Sequence, residues 1–92
     1  MRINIGINAS RARSGGGISH LVGILRELDP AVFNIDRIHV WSYERLIAAL
    51  PNKPWLEKHC PDVLNMPLHQ QLLWEFFYLP VELRKKNCQV LL

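Results

Sequence analysis

Apolar and polar residues alternate from the start of the chain: Ile3, Ile5 and Ile7 are separated by Asn4 and Gly6, and this period of two predicts a strand over Arg2 to Asn8. A polar, basic loop is expected over Ala9 to Gly17, ending in the run Gly15, Gly16, Gly17. The period then changes. Ile18, Leu21, Val22, Leu25 and Leu28 recur at three and four residues, which predicts a helix from Ile18 to Leu28, stopped by Asp29-Pro30. Phe33, Ile35, Ile38, Val40 and Trp41 mark a second strand within Val32 to Trp41. A short helix over Tyr43 to Leu50, capped by Ser42, leads through the turn Pro51-Asn52-Lys53-Pro54 to a third strand over Trp55 to Cys60. Pro61 to Met66 reads as irregular. Pro67 suits the first position of a helix reaching Tyr78, with Leu68, Leu72, Leu73, Phe76 and Phe77 as its apolar face. Pro80 interrupts or restarts that helix, Arg84-Lys85-Lys86 suit its last turn, Asn87 stops it, and Cys88 to Leu92 begins another strand.

Alternating strands and helices predict an α/β fold with a mostly parallel sheet flanked by helices on both faces. A doubly wound domain needs more strands than 92 residues provide, so the expectation is a partial Rossmann-like sheet: an incomplete N-terminal domain over 1–92. The formal net charge of +3 is mild and spread out, apart from Arg84-Lys85-Lys86, which argues against a nucleic-acid binder. Cys60 and Cys88 lack metal-site spacing; two thiols in a reducing compartment and a paired bridge both remain open. With neither a signal-peptide pattern nor an apolar run of spanning length, a cytoplasmic location is expected.

The chemistry concentrates at the end of the first strand. A strand, a glycine-rich turn and a helix start make an anion site, because glycine admits backbone geometry other residues resist and the first N–H groups of a helix have no intrahelical partner. Gly15, Gly16 and Gly17 are the expected phosphate-facing loop, with Asn8, Ser10, Arg11, Arg13 and His20 as ligand contacts. The loop lacks the Gly-Lys-Ser/Thr of a P-loop and the G-x-G-x-x-G of a dinucleotide fingerprint, and the same glycines also fit a surface turn without a ligand. His20, His39, His59 and His69 are scattered, so spacing gives no metal site and no cofactor. Glu75 is expected on the solvent side of its helix or paired with a base, and its aromatic neighbours in the core or on a domain face. No nucleophile, histidine and acid constellation is legible, so no catalytic residue is assigned.

The stretch MRINIGINASRARSGGGISHLVGILREL resembles the opening of family 4 (group 1) glycosyltransferases, above all in Gly15-Gly16-Gly17-Ile18. Leu72 to Leu92, with Trp74-Glu75 and Leu79-Pro80 ahead of a strand, resembles a later part of the same N-terminal domain. The resemblance implies the N-terminal portion of a two-domain GT-B fold, with the glycine loop near the donor diphosphate. It also implies retaining transfer of a sugar from a nucleotide-sugar donor to a sugar or lipid-linked acceptor, without a bound metal and with proximity to a membrane surface. The family's nucleotide-holding parts and paired-glutamate motif belong to a second domain, so these residues are expected to be inactive without that domain or a partner subunit. Two other readings stand beside it: a small α/β module binding a phosphate or nucleotide without catalysis, and a structural or interaction protein docking through the aromatic helix.

Overall fold

The computed structural model describes residues 2–10 and 15–91. The first strand, β1, spans Ile3–Asn8 and the helix α1 spans Gly15–Glu27. Then come β2 (Ile35–Trp41), α2 (Glu44–Ala49) and β3 (Leu56–His59). The last third contains α3 (Leu68–Leu73), a π turn over Trp74–Tyr78, α4 (Leu79–Lys85) and β4 (Cys88–Leu91). The strands form one four-stranded sheet in the order β3-β2-β1-β4, with every adjacent pair parallel. The chain is thus α/β with a parallel sheet flanked by helices, an arrangement compatible with a Rossmann-like fold. No described helix is long and apolar enough to cross a membrane.

The alternation along β1 and β2 sorts two faces. Ile5 and Ile7 stand beside Ile38 and Val40, and with Ile35 they meet Leu21 and Leu25 of α1 and Leu28 just after it, around an apolar cavity or in the core next to it. The opposite face is polar and aromatic: Asn4, Gly6 and Asn8 on β1, His39 and Trp41 on β2, Glu57 and His59 on β3. The segment from α3 to α4 lies over this second face. A Cβ on Gly6 would stand 2.6 Å from Leu83 Cδ2 of α4 and 3.2 Å from Trp41 Cζ3. Glycine here is a packing requirement, since that space is already filled.

Local chemistry moves several boundaries away from the expected ones. The helix begins at Gly15, so the three glycines form the first turn of α1 and not the preceding loop. Glycine has poor helix propensity, so apolar periodicity could start only at Ile18. Pro30–Phe33 is a 3-10 turn, and β2 starts after it, because the Asp29 side chain accepts from the Ala31 N–H at 3.1 Å and Asn34 turns left-handed at φ 57°. Ser42 does not cap α2. It is fully buried and donates to the Ala9 carbonyl at 2.8 Å, tying β2 to the residue after β1. Pro80 leaves the helix continuous: the Leu79 N–H reaches the Trp74 carbonyl, and this wider turn accommodates the proline ring that an α turn would push against a carbonyl. The stop at Asn87 is as expected, with φ 55°.

The expected apolar face of the long helix is also corrected. Phe76, Phe77 and Tyr78 are 74%, 67% and 64% exposed and Leu68 and Leu73 are exposed, whereas Trp74 is buried at 6%. A Gly6→Val substitution is expected to destabilise the fold by about 1–3 kcal/mol through overpacking against Leu83 and Trp41. Nothing lies within 4 Å of a Cβ on Gly23, so Gly23→Ala should stabilise α1 by about 0.5–1 kcal/mol. Urea unfolding of both variants reads the two signs.

Candidate functional site

With strand order β3-β2-β1-β4, the chain steps from β1 to β2 to β3 in one direction and then crosses back past β1 to β4, so the carboxyl ends of β1 and β4 flank the point where that order reverses. Open α/β sheets bind ligands outside the carboxyl ends of their strands at such a switch point. Asn8 closes β1 there and Ser10 follows it. The Asn8 side-chain oxygen accepts from the Ser10 backbone N–H at 3.2 Å, a local turn that fixes the exit of the strand. Glu75, from the π turn, completes the group: its Oε1 lies 3.3 Å from Asn8 Nδ2 and 2.9 Å from Ser10 Oγ. Ser10 Oγ also lies 2.7 Å from Asn8 Oδ1, so its single hydroxyl proton has two acceptors to choose between.

Of the expected contacts, Asn8 and Ser10 are thus brought together, although Ser10 is 1% exposed and orders the strand exit more than it presents a hydroxyl to solvent. Gly15, Gly16 and Gly17 open α1, whose first N–H groups have no carbonyl of their own helix to reach. His20 is exposed on α1. Arg11 and Arg13 lie outside the described residues. Glu75, expected on the solvent side or paired with a basic residue, turns instead to Asn8 and Ser10 at the mouth of β1, and the expectation is corrected: the π turn sets Trp74 and Glu75 toward the sheet while Phe76 to Tyr78 face out. Periodicity at 3.6 residues per turn cannot anticipate that phase change.

A second polar group, absent from the sequence reading, sits on the same sheet face. Strand pairing sets His39 beside Glu57 and Trp41 beside His59. His39 Nδ1 lies 2.9 Å from Glu57 Oε2 and 3.0 Å from His59 Nε2. The His59 ring stacks on Trp41 at 4.8 Å between centroids, and Arg37 reaches the other oxygen of Glu57 at 3.4 Å. Burial pushes the His39 imidazole below its ordinary value; the Glu57 carboxylate opposes this, while Lys86 and Arg37 add to it. His59 is lowered by burial, then by His39 and Lys86, against Glu57 and Glu82. The scatter of these histidines along the chain hid them. The usable signal was the i, i+2 pattern in His39-Val40-Trp41 and Glu57-Lys58-His59, which puts each pair on one face once the strands are adjacent.

Both cysteines are free thiols, Cys60 exposed and Cys88 half-buried, each raised above its ordinary value chiefly by burial. Beside the second group lies a cleft of about 490 Å³ lined by Trp41, His59, Cys60, Trp74, Tyr78 and Glu82, among others. Compared with protein-family models, curated proteins and solved structures, the chain matches none. Replacing Glu75 with Leu should lower stability by about 1–3 kcal/mol, because Asn8 Nδ2 and Ser10 Oγ lose a charged acceptor. Glu75→Gln retains an acceptor oxygen and should lose less than half as much in the same thermal or urea melts.

Proposed function

We propose that this chain is the acceptor-side, N-terminal part of a retaining nucleotide-sugar glycosyltransferase of the GT-B type, working in the cytoplasm. One observation carries the reading. The two separate stretches that resemble family 4 glycosyltransferases meet in space: Glu75, from the second, bonds Asn8 and Ser10, from the first, at the switch point of the sheet. The start of α1 would face the donor diphosphate, and the carboxylate, amide and hydroxyl at the end of β1 would orient the sugar or lipid-linked acceptor. These groups form one wall. Sugar transfer needs further donors fixed against the departing diphosphate, which a second α/β domain or a partner subunit would supply, so residues 1–92 are proposed to bind without turnover.

The decisive experiment is amide NMR of the chain titrated separately with a uridine diphosphate sugar, a guanosine diphosphate sugar, inorganic pyrophosphate and an alkyl glycoside. The expected result is a shift of the Gly15 to Ile18 amides with a nucleotide-sugar, lost in Gly16→Val, and of Asn8 to Ser10 with the glycoside. Equal shifts with pyrophosphate alone and none with the glycoside would replace this reading with a phosphate-binding module. Absence of shifts with all four would overturn both and leave the interaction reading, which the exposed row Phe76, Phe77 and Tyr78 favours.

A further inference from the structure

We infer that His39, Glu57 and His59 form a binding site for a zinc-type divalent cation, with the cleft beside Trp41 giving access to its remaining coordination position. The three side chains offer one donor atom each, and those atoms all lie within 4.8 Å of one another. Two of the separations are 2.9 Å and 3.0 Å. Zinc–nitrogen bonds of about 2.0–2.1 Å in a tetrahedral site put donors about 3.3 Å apart, so a few tenths of an ångström of opening at His39 seats an ion. The remaining pair, Glu57 and His59, closes by a small rotation of the half-exposed Glu57 carboxylate about the oxygen that Arg37 holds at 3.4 Å.

Proton counting shows why a hydrogen-bond network alone serves this cluster poorly. A neutral imidazole carries one N–H. If His39 Nδ1 holds the proton, it faces two acceptors, Glu57 Oε2 and a lone pair of His59. If His59 Nε2 holds it and donates to His39 Nδ1, a lone pair of His39 stands 2.9 Å from a carboxylate oxygen. Either way at least one close contact is between electron-rich atoms or is shared. A cation among them turns all three into ligands.

The surroundings fit the ion class. Two imidazole nitrogens and one carboxylate suit zinc and its neighbours better than magnesium or calcium, which take oxygen donors. Arg37 holds the second oxygen of Glu57 at 3.4 Å, an outer partner of the kind that orients metal-binding carboxylates. All three donors stand on paired strands, β2 and β3, whose register fixes their spacing. His59 itself lines the cleft, with Cys60, Trp74 and Glu82 around it, so water or a ligand can complete the coordination. The inference is independent of the glycosyltransferase reading.

The test titrates the chelator-treated 92-residue chain with Zn²⁺ alone, followed by imidazole NMR and by thermal melting, with Co²⁺ as the optical probe. The expected result is one ion per chain, a raised melting temperature, tetrahedral or five-coordinate Co²⁺ bands, and ring shifts confined to His39 and His59. His59→Gln should weaken binding more than about 100-fold and Glu57→Gln by at least about 10-fold, the range seen when even outer partners of a metal are lost. His69→Gln, at an exposed position on α3, should leave it unchanged. Absence of binding at millimolar Zn²⁺ overturns the inference. So does binding that shifts the His20 or His69 rings instead, or that survives both the His59 and Glu57 variants. The ring shifts in the unaltered chain decide the matter even where a variant fails to fold.

Discussion

The second face of the sheet is covered only because Gly6 has no side chain. A parallel sheet must hide both faces, and α1 can cover just one. On the other, Leu83 of α4 presses to where a Cβ of Gly6 would be, with Trp41 closing the same space from β2. That contact seats the whole segment from α3 to α4. Asn4 reinforces it, donating from Nδ2 to the carbonyls of Lys86 and Asn87 at 3.4 Å and 3.2 Å, so β1 grips the turn that feeds β4. Once the segment is seated, Glu75 reaches the end of β1 and Trp74 closes the cleft beside His59. The Glu75 group and the wall of the cleft therefore depend on one close approach between a strand and a helix.

Much of this architecture was legible in the chain. The alternation at Ile3, Ile5 and Ile7 and the helical repeat from Ile18 to Leu25 gave the first two elements, and the strand–helix alternation gave the parallel α/β class. What escaped was set by interactions periodicity does not encode. A cap at Asp29 converted Pro30–Phe33 into a turn, and burial of Ser42 against the Ala9 carbonyl removed it from capping duty. The candidate site was half visible: Asn8 and Ser10 follow from their place at the strand end, while Glu75 needed the phase of a π turn, and His39, Glu57 and His59 needed strand register.

The two polar groups divide the second face by chemistry. At the end of β1 a carboxylate is matched by amide and hydroxyl donors, which suits a ligand bearing hydroxyl groups. Across β2 and β3 the balance reverses, with acceptors outnumbering protons around His39. Trp41 and Trp74 stand between them in the core, so the cleft they border has an aromatic wall with polar chemistry at its margins.

The π turn has a consequence for how this chain tolerates change. A wide turn is an α-helix holding one surplus residue, taken up within that single turn. Removing one residue between Trp74 and Tyr78 would return the stretch to ordinary α geometry and take away the wide turn at Pro80, so that the proline ring would meet the carbonyl four residues before it. The side chains at Phe76, Phe77 and Tyr78 are free to vary as far as the fold is concerned, while the number of residues there is not: this is a segment in which length is under tighter constraint than composition.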